Sequence, residues 1–222
     1  MQLRRDRRRS LVASAVLLSV ASPAAATVYP TPTLPPPGAV YASSGPGAGC
    51  FDFAGVCVTP GTLSVGSTIS DTLSPQGQTL ALNGVFSTTL TPTAGPTVPF
   101  TLTGTFTELV IGRSSDTATG SWTTDLLSAD FTGTLPGGTT VTLGLDPSHT
   151  SGGTTSIAAA AGGGYDINSF FDVWVELSTD SIPPLSTTRG PLTLTLVPEP
   201  ATAALLGLPL VGLVAARRRR AS

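Results

Sequence analysis

The sequence contains no lysine. All eleven basic residues are arginine, and nine of them lie in the first nine or last six positions. Between residues 27 and 200 only Arg113 and Arg189 are basic, against twelve carboxylates from Asp52 to Glu199, which leaves that stretch a formal charge of −10. Such a balance excludes a nucleic-acid binder, which needs clustered arginine and lysine. The terminal arginine clusters are not such patches, because each abuts an apolar run. Histidine occurs once, at His149, and cysteine twice, at Cys50 and Cys57. One imidazole and two thiols spaced unlike C-x-x-C are too few for a zinc or redox centre. There is no G-x-S-x-G nucleophile elbow, no L-P-x-T-G cell-wall motif and no D-x-D-x-D-G calcium loop. No strict repeat is visible, and no convincing helix separates the short apolar segments of the middle of the chain.

Threonine, serine, glycine and proline fill that middle. Threonine is β-branched and favours strands, while glycine and proline mark turns. TLSVGSTIS, TLALNGVFSTTL, VPFTLTGTFTELVI, ATGSWTTDLL, ADFTGTL, TTVTLGL, FFDVWVELS and PLTLTLV all read as strands. In VPFTLTGTFTELVI the large residues Phe100, Leu102, Phe106 and Val110 fall on even positions, with threonine mostly between them. That period of two buries one face. Ser74-Pro75-Gln76-Gly77, Pro92-Thr93-Ala94-Gly95-Pro96 and Pro136-Gly137-Gly138 supply the turns. The expected fold is all-β, an antiparallel β-sandwich with a barrel-like arrangement as the alternative.

Three features of this region could carry chemistry. His149 lies in a serine-rich stretch, DPSHTS, and reads as a surface-loop histidine; a Ser-His-Asp triad would require partners brought close in space. Asp166, Asn168, Asp172 and Glu176 offer hard oxygen ligands of the kind calcium takes, but strand alternation puts all four on one solvent face, which is how they read. The same alternation assigns Phe171, Val173 and Val175 to the core and Phe170 and Trp174 to the other side. Trp174 and Trp122 could stack on sugar rings, although a tryptophan packed beneath a second sheet is the more usual arrangement. The sequence therefore nominates no catalytic residue, no metal ligand and no cofactor.

The two ends read as addresses. Residues 1–9 are basic, residues 11–21 are apolar, and Ala24-Ala25-Ala26 is an A-x-A match, with Ala24 and Ala26 as the signal-peptidase site and cleavage before Thr27. Residues 27–49, with Pro35-Pro36-Pro37, read as a linker rich in proline, glycine and alanine. Residues 50–197 form the expected β domain. Outside the cytoplasm, Cys50 and Cys57 would form a disulfide closing a small loop, adding ~2 kcal/mol. At the other end, Pro198-Glu199-Pro200 precedes an uncharged apolar segment, residues 201–216, and then Arg217, Arg218, Arg219 and Arg220. As a helix that segment would reach about 24 Å, a little short of a ~30 Å hydrocarbon core. The arginines would remain cytoplasmic and stop transfer.

The order of proline–acid–proline triplet, short apolar helix and arginine cluster resembles the PEP-CTERM sorting signal of Gram-negative bacteria that make exopolysaccharide. The resemblance implies recognition of Pro198, Glu199 and Pro200 by an exosortase, an integral-membrane cysteine peptidase-like enzyme, after signal-peptidase cleavage at the other end. Two prolines restrain that triplet in an extended form with fewer amide donors, which suits a protease cleft. A second, local resemblance runs from Ala118 to Ser178, where ATGSWTTDLLSADFTG, SHTSGGTTSI and GGGYDINSFFDVWVELS are similar to the ectodomains of some PEP-CTERM proteins. Together these imply an exported, exosortase-processed protein of the cell surface or extracellular matrix, transiently held in the inner membrane by its C-terminal helix; the lack of a site in the residues adds the expectation of no catalytic activity. Exopolysaccharide is the further partner implied. The alternatives are a carbohydrate-binding or adhesion module and a protein simply anchored by its C-terminal helix.

Overall fold

The computed structural model describes residues 28–36, 38–44, 56–92, 97–180, 182–186 and 190–197. Among these there is no helix. Thirteen strands form one antiparallel sheet: β1 (Val28–Tyr29), β2 (Val40–Ser44), β3 (Val56–Val58), β4 (Thr62–Ser74), β5 (Gly77–Pro92), β6 (Val98–Ile111), β7 (Gly120–Thr134), β8 (Thr140–Leu145), β9 (Gly152–Ala159), β10 (Tyr165–Val173), β11 (Val175–Thr179), β12 (Ile182–Ser186) and β13 (Leu192–Val197).

The sheet closes on itself. Pairing runs β2–β4–β5–β6–β7–β9–β10–β13 and returns to β2, an up-and-down barrel of eight antiparallel strands. The remaining segments continue barrel strands. β8 and β9 both pair with β7, at its two ends, with residues 146–151 looped out between them. β11 continues β10 beyond Trp174 and pairs with β8, and β12 pairs with β11. The all-β expectation therefore holds, but the sandwich does not: the barrel alternative is the observed architecture. Inward–outward alternation along a strand is the same in both. What distinguishes them is long-range pairing. β13, the last described strand, lies between β10 and β2 and leaves neither edge open there.

β7 unites two segments that read as separate strands, ATGSWTTDLL and ADFTGTL. A register shift beside the Thr107–Ser128 and Glu108–Leu126 pairs explains why its alternation breaks in the middle. The stretch read as a linker also needs correction. Its described residues, 28–36 and 38–44, are built into the barrel, with β1 on β10 and β2 between β13 and β4. Tyr29, Leu34, Ala39 and Tyr41 are buried, and this burial holds a proline-rich segment in place.

Antiparallel strands in succession put alternate connections at opposite rims. One rim carries the β4–β5 turn, the 112–119 loop, the 160–164 loop and β1. The other carries the 135–139 turn and the β11–β12 turn at Asp180. The segment from β1 to β2 crosses the mouth of the first rim, because it starts on β10 and ends on β2 yet its Pro32 carbonyl accepts from Arg113 beyond β6. At the β4–β5 turn Gly77 has φ +145, and a Cβ there would lie 2.1 Å from the Val110 carbonyl oxygen, so the position admits only glycine.

Aromatic and aliphatic side chains fill the barrel: Phe86, Phe100, Leu102, Phe106, Phe131, Leu143, Phe171 and the leucines of β13. Gly84 faces inward to admit them, since a Cβ there would meet Leu63, Phe131 and Phe106 at 3.0–3.2 Å. The rings of Phe106 and Phe131 stack at 6.2 Å. The residual void among these rings is about 40 Å³ and wholly apolar in its lining, a packing gap too small for an organic ligand.

Candidate functional site

Two places combine polar chemistry with fixed geometry. The first is the barrel interior near the mouth crossed by residues 30–39. Arg113, fully buried, donates from Nη1 to Gln78 Oε1 and from Nη2 to the carbonyls of Pro32 (2.6 Å) and Asp116 (2.8 Å). Its guanidinium lies 5.5 Å from the centre of the Trp122 ring. Gln78, inward on β5, donates from Nε2 to Asp71 and Asp116, at 2.8–2.9 Å. Burial pulls the guanidinium's affinity for its proton down, and the carboxylates of Asp116, Asp71 and Glu108 oppose that shift.

Glu108 occupies an inward position of β6, between Leu80 and Leu126 in register. Burial raises its carboxyl to about 7, with Arg113 pulling in the other direction. Tyr41 faces it from β2; burial, then the Glu108 charge, pushes the phenol well above its ordinary range, while a hydrogen bond with Ser169 acts the other way. A chain of hydroxyls completes the belt: Thr124 Oγ1 donates to Thr155 Oγ1 at 3.2 Å, and Thr155 and Ser169 lie 3.0 Å apart. The belt can hold or release one proton near neutral pH inside a closed barrel. Sequence reading missed it. The available signal was Glu108 itself, a carboxylate on the even, inward register of a strand whose other even residues are apolar or glycine.

The second place lies on the outer wall, where β7 bulges and β8 gives way to β9. A groove of about 670 Å³ is lined by residues 125–130 of β7, residues 144–147 and 149–151 around the looped-out segment, and Glu176. Ser151 bridges the strand break: the Trp174 amide donates to its Oγ at 2.9 Å, and the Asp146 amide donates to the Trp174 carbonyl at 3.0 Å. Asp146 is buried and accepts from the Ser148 amide at 2.8 Å, with His149 Nδ1 2.9 Å from its other oxygen. The amide hydrogen bond of Ser148, then the His149 contact, hold the Asp146 carboxyl below its ordinary range. His149 is exposed, as expected of a loop residue, and its ring stacks on Trp174 at 4.1 Å and 13°. Trp174 is half-buried on the outer wall with one face occupied by the imidazole, and Trp122 packs partly against the core. Ser151 Oγ is engaged with the backbone of Trp174, and the Asp146–His149 contact braces the loop between β8 and β9.

The other nominated residues fall as follows. Asn168 is exposed and Asp166, Asp172 and Glu176 are half-buried on the outer face, while Phe171, Val173 and Val175 are core, as the alternation requires. Asp172 accepts from Thr193 Oγ1 at 2.6 Å. Among the described residues no three His, Cys, Asp or Glu side chains are placed to hold a metal ion. Cys57 lies on β3 opposite Thr91, but Cys50, and with it the disulfide, lies outside the described residues. So do Ala24, Ala26, Pro198, Glu199, Pro200 and Arg217 to Arg220. Comparison with protein-family models, curated proteins and solved structures finds no match.

Proposed function

We propose that this is an exported surface or matrix-associated protein, delivered by its two terminal tags and processed at the C-terminal one by an exosortase, with the barrel as its non-catalytic body. The observation that carries the reading is the join between barrel and tail. β13 ends at Val197, and Pro198-Glu199-Pro200 follows with no intervening residue. At the other end β1 begins at Val28, one residue beyond the expected cleavage before Thr27. The expected tags therefore adjoin the first and last described strands in sequence. Mass spectrometry of the mature protein tests this. Loss of residues 1–26 and of the segment beyond the triplet is expected; intact termini overturn both processing steps. Deletion of residues 198–222 should release the protein into the medium, and an unchanged location would overturn the tail's role.

A second reading is supported by the outer groove. Its carboxylates and hydroxyls, beside the His149–Trp174 stack, suit a glycan chain of the extracellular matrix. Binding on a glycan array, lost in His149→Ala and Trp174→Ala, is the expected result; absence of binding by the intact protein removes this reading.

A further inference from the structure

We propose that the rim bearing the β4–β5 turn, the 112–119 loop and β1 is a membrane-docking surface, and that its partner is the interfacial layer of a lipid bilayer. The inference rests on the reading of residues 201–216 as a membrane-inserted segment and adds an orientation and a contact for the barrel.

Three observations carry it. The first is where the exposed aliphatic side chains lie. Val28 on β1, Ile69 and Leu73 on the β4–β5 hairpin, Ile111 at the end of β6 and Val197 at the end of β13 are each 37–55% exposed. Leu73 pairs with Gln78, Ile111 with Gly77 and Val28 with Asp166, so these three stand at strand ends of the same rim. The turns of the opposite rim carry no exposed large hydrophobic among the described residues. Val85, Leu127 and Phe170, 38–54% exposed, stand singly on the barrel wall and need no explanation; the three at one rim, with Ile69 and Val197 on strands that lead to it, form a set that does.

The second observation is direction. β13 runs antiparallel to β10, whose first residues lie at this rim, so β13 points its C-terminal end toward the rim. The third is reach. Three residues separate Val197 from the apolar segment, and three residues span at most ~10 Å. A bilayer that holds residues 201–216 thus lies within about one strand spacing or two of this rim, whatever path the triplet takes. The rim also carries the carboxylates of Asp71, Asp116 and Asp166, so its contact suits headgroups without net negative charge, with aliphatic side chains reaching between them.

The two tryptophans provide a built-in depth gauge. Trp122 is the third residue of β7, and its ring covers Gly120 at the rim. Trp174 lies nine positions beyond Tyr165. That is about 30 Å of strand, or roughly 20–25 Å along the axis of a barrel whose strands tilt ~40°. The full chain, tail included, is reconstituted in phosphatidylcholine vesicles with ordinary or acyl-brominated chains, and association is checked by flotation. In Trp174→Phe, which leaves Trp122 as the reporter, bromination should quench emission. In Trp122→Phe, which leaves Trp174, it should not. In an otherwise native chain, Leu73→Ser with Ile111→Ser, both at exposed sites, should lose the quenching while the protein still floats. Flotation without Trp122 quenching, equal quenching of both tryptophans, or quenching unaffected by the rim substitutions overturns the docking surface and leaves the inserted tail standing. Failure to float overturns the tail reading and the docking surface together.

Discussion

Glu108 gives the most quantitative test of the interior. Its carboxyl titrates at about 7 in the folded barrel, against an ordinary value of 4.5. The folded state therefore binds the proton more tightly than the unfolded chain. For a raised acid, stability is greatest below the unfolded value and falls as pH climbs from 4.5 to 7. Above that window the loss is complete. At 1.36 kcal/mol per pH unit the loss amounts to about 3 kcal/mol. In a domain of this size that corresponds to roughly 6–12 °C in Tm.

Glu108→Gln keeps the shape and removes the charge. Its stability should match the native protein near pH 4 and exceed it by up to about 3 kcal/mol at pH 8. The assay is urea or thermal unfolding of both proteins from pH 4 to 8, read as the difference between them. Titrations of Asp146 and the surface carboxylates are common to both and cancel. The attraction of Arg113 is already contained in the shifted value, and Arg113 retains Asp116 and Asp71 as counter-charges in the variant. A difference that does not change with pH, or a variant less stable than the native protein at pH 8, would refute the buried, destabilising carboxylate.

Three other outcomes follow from the packing. Arg113→Leu leaves the acceptors on Gln78, Pro32 and Asp116 without their donor. It should cost about 3–5 kcal/mol and speed amide exchange in residues 30–39; unchanged exchange there would show that Arg113 does not hold the crossing segment. Gly84→Val forces two methyl groups against the rings of Phe106 and Phe131 and should cost about 1–3 kcal/mol or more by denaturant unfolding, while an unchanged midpoint would contradict the inward position. His149→Ala should cost less than about 1.5 kcal/mol and alter the Trp174 emission spectrum, because it strips one face of the indole; an unaltered spectrum would contradict the stack.

What sequence alone disclosed depended on how local the signal was. β6 is a full alternating strand, and its bounds, Val98–Ile111, coincide with the segment VPFTLTGTFTELVI. The turns 74–77 and 136–138 are marked by proline and glycine and sit where expected. β9 escaped because GGTTSIAA has one large apolar residue, Ile157, and its strand character comes from pairing with β10 and β7. β1 and β2 escaped because a proline-rich stretch reads as linker until its tyrosines are seen to be buried. The closed barrel is a property of pairs far apart in sequence, such as Leu196 with Tyr41, for which no local pattern stands. The Glu108 belt and the His149–Trp174 stack are likewise contacts across strands. The individual residues were visible, and their partners were not.

The closing strand also limits where the proposed processing could leave a folded product. Leu192, Leu194 and Leu196 of β13 are buried, and the strand is hydrogen-bonded on both sides. A chain ending at Val197 keeps all three leucines and both ladders. A chain ending at Pro191 loses them and exposes the edges of β2 and β10. Three buried leucines are worth about 5–9 kcal/mol in transfer free energy. That is comparable with the whole stability of an ordinary domain, typically about 5–15 kcal/mol. Truncation after Val197 should therefore leave the unfolding midpoint of the barrel unchanged, and truncation after Pro191 should give an unfolded or aggregating chain. Cleavage compatible with a folded product must then lie beyond Val197, within or after Pro198-Glu199-Pro200. A cooperative unfolding transition with a native midpoint in the chain ending at Pro191 would refute this, since β13 would not then be what closes the barrel.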